Sequence, residues 1–179
     1  MGHNSARRQF GWDRKALGQL SGMVETEIRP IRWSGEKLEL LDQTRLPREE
    51  VTVEVNTYQQ AIEAIRNMRV RGAPAIGVTA AYAVALAARE IRATEHPEFM
   101  AQLEAAAAEI GVARPTAVNL QWAVRRMLGV AGAEGDVNRT AASLLDEAKQ
   151  VHREDEEINR RMGDFGKELI PDGGSVLTH

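Results

Sequence analysis

Two stretches of the sequence set an arginine and a proline at the start of an apolar helical pattern. The first is Arg71-Gly72-Ala73-Pro74-Ala75-Ile76-Gly77, the second Arg114-Pro115-Thr116-Ala117-Val118-Asn119-Leu120. Small residues at a helix start let backbone N–H groups approach an anion. The helix end adds partial positive charge, and the arginine adds a full one. A guanidinium also offers a phosphate two parallel hydrogen bonds. A tight turn with an exposed arginine explains either stretch alone, and singly that reading is favoured. Two such stretches in one chain point toward a binding site, although spacing does not show that they meet.

A third candidate is Asp155 with Asn159, four residues apart on one helical face. Asp155 falls where the apolar stripe of its helix calls for a hydrophobic residue. It either joins a polar network, lines a cavity, or marks where the helix leaves the core, since Arg153, Glu154, Glu156 and Glu157 flank it. The four histidines, His3, His96, His152 and His179, show no metal-ligand spacing. No cysteine is present, so a thiol nucleophile and a Cys-bound metal are excluded within these residues. No G-x-S-x-G, P-loop lysine or G-x-G-x-x-G motif occurs. The expectation is no metal site, no cofactor and no catalytic residue within the chain.

The elements that must position these groups follow from periodicity. Residues 1–26 read as a tail or weak helix, and 27–56 as a small antiparallel sheet. Its strands are Glu27–Trp33, Leu38–Asp42 and Val51–Val55, the first two joined by a turn at Ser34–Lys37. Residues 57–170 read as a helical domain. Thr57-Tyr58-Gln59-Gln60 has the form of a capping box, with Ile62, Ile65 and Met68 as the stripe behind it. Pro74 to about Arg92 is apolar nearly all round, which predicts a central helix that His96-Pro97 then breaks. Phe99, Met100, Leu103 and Ile110 mark a helix ending at Gly111. Thr116 is the expected cap of the next, with Val118, Trp122 and Leu128 along it, and Gly129–Gly135 reads as a link. Asp136 is expected to cap a long helix to about Ile170. Ser175–His179 reads as the opening of a buried strand with nothing after it, so the sequence looks cut short. The fold class is therefore α+β and mostly α.

Lys plus Arg number 23 and Asp plus Glu 26, a net charge of −3. That balance, with aromatics at 4 %, excludes a basic, base-stacking surface for nucleic acid. Hydrophobics at 43 % suit a folded domain with one core. The apolar run 73–88 is shorter than the roughly 20 residues that span a bilayer, and no h-region follows the early arginines. The expectation is a cytoplasmic protein that avoids membranes.

Leu41-Asp42-Gln43-Thr44-Arg45-Leu46-Pro47, Met68 to Gly77, and Arg114 to Leu120 together resemble the methylthioribose-1-phosphate isomerase family. The family includes the regulatory subunits of translation initiation factor 2B and ribose-1,5-bisphosphate isomerase. The likeness runs from about Glu27 to His179. It implies conversion of 5-methylthioribose 1-phosphate to 5-methylthioribulose 1-phosphate, an aldose–ketose isomerisation in methionine salvage that uses no redox cofactor. It also implies substrate contacts from Arg71, Gly72, Ala73 and Arg114, and a homodimer. The family continues Val-Leu-Thr-His into a catalytic cysteine and Asn-x-Gly, with a catalytic aspartate later. Here the letters end at His179, so 171–179 would be the start of a truncated Rossmann-like domain and the chain alone an incompetent isomerase. Phe165-Gly166 also departs from the His-Gly of many relatives. A non-catalytic regulatory module of the initiation factor 2B type is the alternative reading.

Overall fold

The computed structural model describes residues 29–175 and Leu177. Strands β1 (Ile31–Ser34), β2 (Lys37–Leu41) and β3 (Thr52–Val55) form an antiparallel meander in the order β1-β2-β3. Ile31 stands opposite Leu40, and Leu38 opposite Val55. Ile31, Leu38, Leu40 and Val55 are buried together, so alternation gives the sheet one apolar face. The other face carries the cross-strand pair Arg32–Glu39, with Arg32 Nε donating to Glu39 Oε2 at 2.8 Å, and the ion pair Lys37–Glu54. Trp33 stacks on Tyr82, ring centroids 5.3 Å apart, and ties the sheet to the helices.

Five helices follow: α1 (Tyr58–Arg66), α2 (Ala73–Glu90), α3 (His96–Gly111), α4 (Val118–Ala131) and α5 (Val137–Gly166), the last continued by a 3₁₀ turn at Lys167–Leu169. The capping box of α1 forms in full. The Gln60 N–H donates to Thr57 Oγ1 at 3.2 Å, while Gln60 Oε1 accepts from the Asn56 N–H at 2.7 Å. Helix α2 is the hub. Every residue from Ile76 to Ala88 is buried, and α2 packs against all four other helices. Its many alanines allow that close approach on every side. Its two buried polar side chains both bond: the Thr79 hydroxyl donates to the Ala75 carbonyl at 2.7 Å, and the Tyr82 hydroxyl lies 3.2 Å from His152 Nδ1. Burial pushes the Tyr82 phenol up to about 12.

Several expectations need correction. Met68 does not extend the α1 stripe. The helix ends at Arg66, and Met68 sits beyond it at φ 59° and 43 % exposed. His96-Pro97 opens α3 instead of interrupting α2, because proline is tolerated in the first turn. The buried face of α4 is Leu120, Ala123, Val124, Met127 and Ala131; Val118 and Trp122 are exposed. Gly129 lies inside α4 and not in a link. The α-helical part of α5 stops at Gly166, and its burial stops earlier, at Val151; Ile158, Met162, Phe165 and Leu169 are exposed. Of the expected last strand, Ser175 and Leu177 are described and lie in no strand, while Val176, Thr178 and His179 lie outside the described residues. So do the expected tail and the first residues of the first strand.

Candidate functional site

The Asp42-Gln43-Thr44 segment holds the loop that leads into α2. The Gln43 N–H donates to the Arg69 carbonyl at 3.0 Å, and Gln43 Nε2 reaches the Arg71 carbonyl at 3.5 Å. Buried Asp42 accepts from the Thr44 N–H and hydroxyl at 3.0 and 2.6 Å and lies 3.8 Å from Arg69. The Thr44 hydroxyl holds the Asp42 carboxyl below the usual carboxylate range. The chain then turns at Gly72, whose φ of 90° is open to glycine and strained for other residues. Ala73 and Pro74 begin α2 directly behind it.

Helices α2 and α4 touch at their first turns. A Cβ on Gly77 would stand 3.2 Å from both Cβ and the carbonyl oxygen of Asn119, so glycine permits this approach. Both first turns open on one cavity of about 440 Å³. Pro74, Gly77 and Val78 line it from α2, and Val118, Asn119, Trp122 and Arg125 from α4. Neither helix start is capped by a side chain, unlike those of α1 and α5, where Thr57 and Asp136 accept from backbone N–H groups. The expected cap of α4, Thr116, lies one residue too early; the cap position is Ala117. The positive ends of both helices are therefore left without a side-chain oxygen beside the cavity.

Arg71, Gly72 and Ala73 are exposed just ahead of Pro74, and Arg114 is half-buried four residues before Val118. The segments of both arginines thus meet at one cavity through their helix starts, although neither side chain is among the lining residues. Among the described residues neither guanidinium has an ion pair or hydrogen-bond partner.

The third wall is α5, through Val151, Glu154, Asp155 and Ile158. Glu154 is pinned: Arg126 donates to both its oxygens at 2.5 and 3.0 Å, and Gln150 Nε2 donates at 2.9 Å. The Arg126 guanidinium holds the Glu154 carboxyl down to about 2. Arg126 also bonds Glu147 and lies 5.4 Å over the Trp122 ring. Asp155 behaves oppositely, since burial raises its carboxyl above the usual range. Asn159 Nδ2 donates to the Asp155 carbonyl at 2.8 Å and to Asp155 Oδ1 at 3.3 Å.

Arg125 escapes the sequence reading, and Glu154 enters it only as a charged flank of Asp155. Asn119 falls within the second arginine stretch, and Val118 and Trp122 read as a helix stripe with Leu128; with Arg125 at i, i+4, i+7 they form this wall instead. Among the described residues no group of three or more His, Cys, Asp or Glu side chains is placed to hold a metal ion, and no helix is long and apolar enough to cross a membrane.

The Initiation factor 2 subunit family matches residues 69–179. A methylthioribose-1-phosphate isomerase of Pelotomaculum thermopropionicum is 51 % identical over 153 residues, covering 83 % of this chain and 42 % of its own length. A 5-deoxyribose 1-phosphate isomerase of Bacillus thuringiensis is 46 % identical, covering 87 % and 46 %. Among solved structures, the 5-methylthioribose 1-phosphate isomerase of Pyrococcus horikoshii matches with TM-score 0.76 and 34 % identity, covering 80 % of this chain and 41 % of that one. The delta subunit of translation initiation factor eIF-2B from A. fulgidus matches with TM-score 0.74 and 38 % identity, covering 80 % and 42 %. The chain thus spans less than half the length of these relatives.

Proposed function

The chain belongs to the Initiation factor 2 subunit family, and we propose that it carries the phosphate-binding wall of a sugar-phosphate isomerase acting on 5-methylthioribose 1-phosphate. The observation that carries this reading is the pair of uncapped helix starts, α2 and α4, opening on one cavity with an unpaired arginine ahead of each. Arg71 and Arg114 take the phosphate as charge-assisted donors, and the backbone at Gly72 and Ala73 approaches it closely. The reaction converts an aldose ester to a ketose ester, so hydrogen moves from C2 to C1 with no net redox change. The phosphate on C1 hinders simple ring opening, and a general acid is needed first. The chain contains no cysteine, so thiol chemistry in that reaction comes from outside these residues. The same reading places the protein in the cytoplasm and as a dimer, with these residues alone inactive.

A non-catalytic module of the initiation factor type is the weaker reading. Curated relatives named as isomerases reach 46–51 % identity, while among the solved structures an isomerase at 34 % and the initiation factor subunit at 38 % stand close together. Titration calorimetry with 5-methylthioribose 1-phosphate tests the site. Arg71→Ala is expected to weaken binding about tenfold or more, the loss of a charge-assisted pair. Equal affinity in wild type and variant would sink the reading.

A further inference from the structure

We propose that Asp155, positioned by Asn159, is the specificity residue that receives the hydroxyl-bearing end of the ligand in the cavity between α2, α4 and α5. This inference rests on the sugar-phosphate reading above. The first turns of α2 and α4, without side-chain caps, open on the cavity and favour an anion there. Glu154 and Asp155 line it from α5, and Arg125 from α4. Arg126 neutralises Glu154, so Asp155 is the carboxylate left to accept from a part of the ligand that donates hydrogen bonds.

The two carboxylates differ in what they have left to offer. Both Glu154 oxygens already accept from Arg126, and one also from Gln150. Asp155 accepts one long bond, at 3.3 Å from Asn159, and its Oδ2 has no donor among the described residues. Arg125 lines the same cavity but makes no ion pair with Asp155. Val118 and Ile158 on the same cavity supply apolar walls. Asn159 also grips the Asp155 backbone carbonyl at 2.8 Å, which keeps the amide beside that carboxylate. A half-buried carboxylate with open lone pairs is costly unless a donor arrives, and sugar hydroxyls are such donors.

The test compares two probes, inorganic phosphate and ribose 1-phosphate, by titration calorimetry on the full chain. Asp155→Ala is expected to weaken ribose 1-phosphate about tenfold, the loss of one bond to a charged group, and to leave phosphate unchanged or slightly tighter. Asp155→Asn keeps the shape and one acceptor, and is expected to lose about threefold on the sugar ester alone. If both variants shift the two probes equally, or neither probe, the proposal is overturned. Arg71→Ala separates this from the parent reading, since it should weaken both probes together. An unchanged Arg71→Ala would remove the phosphate site itself, whereas a weakened Arg71→Ala with silent Asp155 variants removes only the present inference.

Discussion

Glu154 and Asp155 are neighbours in the chain and opposites in chemistry, because one meets Arg126 and the other is half-buried on the cavity wall without such a cation. Glu154 has its carboxyl lowered from 4.5 to about 2 in the fold, so its contribution to stability is complete above about pH 4.5 and disappears as pH falls through 2. The side chain is 39 % exposed, and screening by water reduces the effect to about 1 kcal/mol. Denaturation monitored by circular dichroism from about pH 5 to below pH 2 should show wild type losing that much more stability than Glu154→Gln. Parallel curves would place the Arg126–Glu154 pair outside the energetics of folding. Arg71 and Arg114 could be singled out in the sequence because proline and small residues mark a helix start locally. Arg126 with Glu154 could not, since the partners stand 28 positions apart and only packing of α4 on α5 joins them.

Helix starts divide by what fills them. Thr57 and Asp136 close α1 and α5 with their own oxygens, and both were readable from residue type alone. Thr57→Ala should cost about 1 kcal/mol in urea denaturation. A loss near zero would mean that packing of Ile62 and Ile65 holds α1 without its cap. The starts of α2, α3 and α4 lack such oxygens; α2 and α4 are set apart by opening on one cavity, and there a ligand replaces the cap in the proposed function. Misreading Thr116 as a cap has a simple origin. A threonine one residue before the true boundary looks the same in the letters, and the turn that begins at Arg114, where the Ala117 N–H bonds the Arg114 carbonyl at 3.0 Å, shifts the helix past it. The Asp42-Gln43-Thr44 segment acts between elements, carrying the sheet's position into the loop before α2.

Across the molecule, stability should fall away from α2. Its interior packs on four helices, whereas α5 beyond Ile158 presents Met162, 58 % exposed, and Phe165, 71 % exposed, to solvent. Amide hydrogen exchange followed by mass spectrometry should find Val78–Leu86 slowest and 160–169 among the fastest of the described helices. Comparable protection in both segments would refute this ranking. Periodicity was enough for the order of strands and helices along the chain, a small antiparallel sheet and the buried character of α2, because burial on all sides or on one side leaves a direct imprint on residue type. It also placed an arginine ahead of each helix start. Periodicity was not enough to tell a helix face turned to the core from one turned to a cavity, as Val118 and Trp122 illustrate, since apolar residues line both. Convergence of α2 and α4 on one opening, the glycine contact at Asn119 and the split between Glu154 and Asp155 arise from distances between segments remote in the chain. Those distances are set by how the helices pack, and no local pattern of letters encodes them.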